Sequence, residues 1–185
     1  AAQVPAAPLS IALAPFLSPA ALLAAFRPLR EHLERTLVRP IEMLTARDFR
    51  SLCEAVRTQR HDAAMLPAHL ARLAMADWRH EPLAATLDSL QVLVLVHGDS
   101  PVRSAADLRG GKVGMLDALA LTGTVGRLWL QEQGLAESAQ VVTVPSINSA
   151  LISLDRGELD AVIATDSQLK GLPQSTPHTE RVLVT

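Results

Sequence analysis

The sequence predicts an α/β protein of one domain or two small lobes. Short apolar runs alternate with segments whose apolar residues recur every three or four positions, and this rhythm breaks once, between Pro82 and Val96. The 185 residues are 49% apolar and 19% charged with net charge −2, the composition of a compact chain. At this size roughly 70% of the unfolded surface is buried, so the core needs no metal or disulfide staple. Strands alternating with helices argue sheets covered on both faces, with ligands held at the carboxyl ends of the strands. The loops that follow the strands are therefore the first place to look for function.

The elements follow in order. Residues 1–8, small residues and proline without charge, form a flexible leader: either the remainder left by a signal peptidase or an ordinary flexible chain end. Leu9–Ala14 reads as a strand, and Ser18-Pro19 as an N-cap with proline in the first helical position. Leu22, Phe26, Leu29, Leu33 and Leu37 make the buried stripe of the helix that follows, which Pro28 is expected to kink or divide. Pro40–Leu44 predicts a strand, Phe49, Leu52, Cys53 and Val56 a helical stripe capped by Asp48, Asp62–Leu66 a strand, and Pro67–Ala76 a helix. Two strands, Pro82–Leu87 and Gln91–Val96, then cross between lobes. Ser104–Leu108 is a short capped helix stopped by Gly110-Gly111. A second series gives strand Lys112–Leu116, helix Thr122–Gln133, strand Gln140–Val144, helix Asn148–Arg156, strand Asp160–Thr165 and a last strand Arg181–Thr185. The lobes are then 9–90 and 91–165, with 166–185 returning towards lobe one.

Composition excludes several classes of function. Tyr is absent and aromatics are 3% of residues, so no stacking platform for single-stranded nucleic acid is built. The 17 basic residues are dispersed among 19 acidic ones, which leaves no basic stripe for DNA or RNA. A single cysteine, Cys53, lies in an apolar stripe as a small inert hydrophobe and forms no internal disulfide. No apolar run is long enough to insert in a membrane. Nucleophile elbow, P-loop and metal-spaced His pairs are all missing, and His32, His61, His69, His80, His97 and His178 are scattered. No catalytic residue, metal or cofactor is expected.

Several strings, taken in this order, resemble the phosphate/phosphonate-type substrate-binding proteins of ABC importers. They are Ala14-Pro15-Phe16-Leu17-Ser18-Pro19, Ala68-His69-Leu70-Ala71-Arg72-Leu73-Ala74, Asp99-Ser100-Pro101 followed by Ser104–Gly110, Thr122-Gly123, and Gly157-Glu158-Leu159-Asp160-Ala161. The resemblance implies the two-lobed type II periplasmic-binding fold, with mixed sheets flanked by helices and lobes that close on a ligand. It also implies C-terminal helices completing lobe one, which this chain is expected to lack. The implied protein is periplasmic, captures a small anionic or polar molecule and hands it to an ABC transporter permease. Two rivals share the fold: a ligand-sensing domain partnered with a histidine kinase, and the effector-binding half of a LysR-type regulator.

Candidate ligand contacts are named on this basis. Thr122-Gly123-Thr124 places hydroxyls and open backbone at a helix N-terminus, which favours an anion; the same residues also suit a plain N-cap. The family shows a run of hydroxyls here, and Ala120 and Leu121 shorten it. Asn148 or Ser146 caps the next helix or donates to ligand; the family's His-Asp pair is replaced by Ile147-Asn148. Asp166 matches a cleft aspartate or is itself an N-cap. In lobe one, Phe16, Leu17 and Ser18 stand where the family has a hydroxylated aromatic followed by serine, and Thr45 and His69 match loop positions that face the cleft.

Overall fold

A computed structural model of the chain describes residues 7–86, 89–172 and 180–184. Most of the predicted leader, Leu87 and Thr185 lie outside the described residues. Two compact units are present: residues 1–15 with 19–85, and residues 16–18 with 86–185.

In the first unit, strands β1 (Leu9–Leu13), β2 (Ile41–Thr45) and β3 (Ala63–Met65) form a parallel sheet in the order β2-β1-β3. The edge strand is pinned by Asp62, whose carboxylate accepts from both the backbone N–H and the hydroxyl of Ser10 at 2.8 Å. Helix α1 (Pro19–Leu37) begins at the predicted Ser18-Pro19 and runs unbroken past Pro28. Its stripe is buried only at the start. Leu22 is enclosed, Phe26 and Leu33 are half-buried, and Leu29 and Leu37 are 36% and 49% exposed. Length accounts for the difference: nineteen helical residues extend about 28 Å, whereas five strand residues extend about 17 Å, so the helix outruns its sheet. Helix α2 (Phe49–Arg57) buries Phe49, Leu52 and Val56 as predicted, and the Asp48 carboxylate caps it by accepting from Ser51 N–H at 2.6 Å. Helix α3 (Ala68–Asp77) follows β3.

The predicted strand at residues 82–87 does not form over its described residues, 82–86. Residues 82–86 are irregular and exposed, with Leu83 at 87%. An extended run becomes a strand only when a partner satisfies its backbone groups, and over 82–86 Leu83 beside one proline, two alanines and a threonine brings too little apolar surface to recruit one.

The second unit is built on a mixed sheet in the order β6-β5-β7-β4-β8. Its strands are β4 (Val92–His97), β5 (Lys112–Met115), β6 (Gln140–Thr143), β7 (Ala161–Thr165) and β8 (Glu180–Val184). Strand β4 runs antiparallel to both neighbours, β7 and β8, while β5, β6 and β7 are mutually parallel. The Val/Leu alternation of β4 leaves no polar face, as expected of a central strand covered on both sides. Val94, Val96, Val113, Met115 and Ile163 from the sheet pack with Leu130 and Leu135 in one core. The predicted capped segment is a 3-10 turn, Ala105–Leu108, with Ser104 and Asp107 in a reciprocal capping box. Helices α4 (Leu121–Glu132), α5 (Ile147–Asp155) and α6 (Asp166–Lys170) follow β5, β6 and β7. Because those strands are parallel and in register, all three helices begin at the same edge of the sheet.

Candidate anion-binding edge of the second unit

Three helix N-termini meeting at one sheet edge concentrate unsatisfied N–H groups and the positive ends of three dipoles. Their states differ. At α5, Ser146 is the cap: its Oγ accepts from Ser149 N–H at 3.2 Å, and Ser149 returns a hydrogen bond to Ser146. The first N–H of α5, from Ile147, donates to the Phe16 carbonyl at 3.3 Å. Asn148 is not the cap. Its Oδ1 accepts from Ser18 N–H at 3.2 Å, so Phe16 and Ser18 lie against this helix start. Leu17, between them, is buried and close to Gly171.

At α6 the cap is Thr165, whose hydroxyl accepts from Gln168 N–H at 3.2 Å while the Gln168 Oε1 accepts from Thr165 N–H at 2.8 Å. Asp166 is therefore one residue inside the helix rather than its cap. Its carboxylate accepts from Gln91 N–H at 3.1 Å, Gln91 carbonyl accepts in return from Asp166 N–H, and Lys170 Nζ stands 3.3 Å from the other oxygen. The Gln91 bond, with help from Lys170, holds this carboxyl below the usual range.

Helix α4 differs from both. Its N-cap is Ala120, which has no side chain to cap with, and its first turn carries no acid. Thr122 is the second helical residue. It is 1% exposed, and its hydroxyl has no hydrogen-bond partner among the described residues. Gly123 packs on the preceding loop so closely that an added Cβ would stand 2.0 Å from the Asp117 carbonyl oxygen. Thr124 turns its hydroxyl back to that loop, donating to the carbonyls of Ala118 at 2.9 Å and Ala120 at 3.1 Å. Neither threonine is a cap, because the helix starts one residue earlier than the Thr-Gly-Thr string indicates. An uncapped N-terminus with a buried, unpaired hydroxyl leaves α4 as the terminus with donors to spare.

In the first unit, Thr45 ends β2 and sets its hydroxyl 3.4 Å from the carbonyls of Leu13 and Ala46. His69 is half-buried in the first turn of α3. Both thus lie at the carboxyl edge of the first unit's own sheet. Two residues went unnoticed in the sequence: Thr165, hidden as the last residue of an apolar strand, and Asp117, in a loop without a motif. Among the described residues no cluster of three His, Cys, Asp or Glu side chains gathers to hold a metal. No described helix is long and apolar enough to cross a membrane.

Residues 11–184 match the family model of the periplasmic substrate-binding protein of phosphonate ABC transporters. The chain belongs to this family. Known structures of the family's fold agree with it at low identity. A binding-protein component of an ABC phosphonate transporter from Pseudomonas aeruginosa superposes with a TM-score of 0.79 at 14% identity. That match covers 98% of this chain and 65% of the other, so the chain spans about two thirds of the relative's length. A Prochlorococcus marinus protein solved in complex with methylphosphonate gives 0.76 at 14% identity, covering 95% of this chain and 71% of that one. The alkanesulfonate-binding protein of Xanthomonas axonopodis pv. citri, bound to MOPS, gives 0.60 at 19% identity, over 98% of this chain and 62% of that one. Among curated proteins, none matches. The mixed α/β architecture is accordingly the type II periplasmic-binding fold, as the sequence resemblance implied, and the family is one of transport binding proteins rather than enzymes.

Proposed function

We propose that this chain is the ligand-capturing component of a periplasmic ABC import system, with an altered specificity towards a small anionic or polar molecule. The reading rests on family membership and on one observation, the buried unpaired Thr122 hydroxyl at the uncapped start of α4. A helix N-terminus supplies free N–H groups and about half a positive charge, and an adjacent hydroxyl adds a donor that an oxyanion satisfies. Gly123 keeps the first turn of α4 in contact with the loop carrying Asp117 and so fixes the direction of those donors. Phe16, Leu17, Ser18 and Asn148 form the apolar and amide side of the same edge, Asp166 contributes the acceptor, and Thr124 braces the loop. On the first unit we assign the ligand contacts to Thr45 and His69. A ligand that prefers one arrangement of the protein shifts the population towards it, and the importer's permease is the partner that reads the shift.

Isothermal titration of the protein with phosphate, methylphosphonate and methanesulfonate tests the reading. We expect binding of at least one of these anions, reduced about tenfold by Thr122→Val, the loss expected for one charge-assisted hydrogen bond. Absence of heat with all three, or full affinity in Thr122→Val, would remove α4 from the site.

A further inference from the structure

The charge of the ligand can be read from what surrounds the α4 N-terminus. The second unit's edge is assembled from residues 16–18, 116–120, 144–146 and 165–167, and these segments contain no Lys, Arg or His. They do contain two carboxylates. Asp117 lies in the loop that packs on Gly123, its Oδ1 accepting from Leu119 N–H at 2.8 Å. Asp166 opens α6 at the same edge, with Lys170, itself exposed, on one of its oxygens. The nearest cation on α4 is Arg127, whose guanidinium reaches back to the first turn and is engaged there, donating to the Gly123 carbonyl at 3.1 Å and resting on the Met115 sulfur at 3.7 Å. An anion held here is therefore met by neutral donors and a partial dipole charge, with two negative side chains beside it, one of them paired with Lys170, and with Arg127 engaged by the Gly123 carbonyl.

Those donors suffice for one charge. A second charge would gain no new cationic partner, Arg127 and Lys170 being engaged already, and would add repulsion from both carboxylates. Resting on the reading of α4 as the anion site, we infer that this unit selects a singly charged oxyanion head, of the sulfonate or monoprotonated phosphonate kind, and that Asp117 discriminates against the doubly charged form. Specificity of this sort comes from the repulsive element as much as from the donors.

Two probes with the same methyl group separate the charge states. Methanesulfonate keeps one negative charge at every working pH, whereas methylphosphonate, whose P–C bond withdraws less charge than an ester oxygen, loses its second proton somewhat above the ~6 of a phosphate ester and so gains its second charge as pH rises through neutrality. Titrations of the protein from about pH 5.5 to about 8.5 should show methylphosphonate affinity falling about tenfold while that of methanesulfonate stays constant. In Asp117→Asn, which retains the oxygen that accepts from Leu119, the fall should become shallower, and circular dichroism should show an unchanged fold. Methylphosphonate binding that tightens with pH would overturn the inference while leaving α4 as the anion site. An equally steep fall in Asp117→Asn would overturn the role of that residue. Failure of both probes to bind at any pH would instead remove the α4 site itself, and the inference with it.

Discussion

A methyl group on Gly123 would stand 2.0 Å from one backbone carbonyl oxygen and 2.7 Å from a second, neither of which can swing aside as a side chain would. Gly123→Ala should therefore cost roughly 1–3 kcal/mol through overpacking and should lower the thermal midpoint. Thr122 next to it should behave oppositely. Its hydroxyl is already without a partner, so Thr122→Val removes an unsatisfied polar group and keeps the shape; thermal unfolding should show unchanged or slightly raised stability. Loss of anion binding together with intact stability distinguishes a ligand donor from a structural residue. The Thr-Gly-Thr string was visible in the sequence because hydroxyls and glycine are the residues helix starts use. Which of them is buried and unpaired was not visible, since that depends on where the helix begins, and an alanine N-cap leaves no mark in a sequence.

Periodicity located the helices but overstated how much of α1 is covered. Leu22 and Leu37 occupy the same stripe, yet one is enclosed and the other is 49% exposed. Leu22→Ala should cost about 2–5 kcal/mol, whereas Leu37→Ala should stay within about 0.5 kcal/mol, as chemical denaturation would show. The residue just past the same helix is Val38, a β-branched residue at φ 48°. That left-handed conformation suits glycine, so Val38→Gly should raise stability by about 1 kcal/mol, measured in the same way. Elements whose signal is local were legible: the Ser18-Pro19 start, the Asp48 cap, and the glycine stop at Gly110, at positive φ. The irregular segment at residues 82–86 was not, because strand formation is settled by a partner and not by the run itself.

Across the whole molecule, acid is the condition that should reveal the electrostatic ties. Asp48, Asp62, Asp107 and Asp166 are each held below their usual range, chiefly by N–H and hydroxyl groups donating to the carboxylate. A depressed carboxyl adds stability above its unfolded value and loses it as pH falls through the folded one. For Asp48 that window runs from 3.8 down to about 2. Stability should therefore be level at neutral pH and decline below about pH 4, and Asp48→Asn, which still caps a helix, should flatten part of that decline in denaturation midpoints. Because these aspartates lie in both units, the acid response belongs to the molecule rather than to one lobe.

The α/β class and the order of nearly every element were legible in the chain, since these follow from apolar periodicity, caps and turn residues that act over a few positions; the family was legible only as a resemblance of short strings. The strand-to-helix junctions were singled out as well, because parallel strands must place such loops at one edge. Which helix start remains open depends on contacts made across the fold. Three junctions with similar sequence signals proved different once Ser146 and the Phe16 carbonyl had engaged α5, and Thr165 and Asp166 had engaged α6. Hydrogen-bond satisfaction is a property of who stands nearby, and two of those neighbours, Phe16 and Gln91, come from distant parts of the chain. The unpaired Thr122 hydroxyl is what that competition left over.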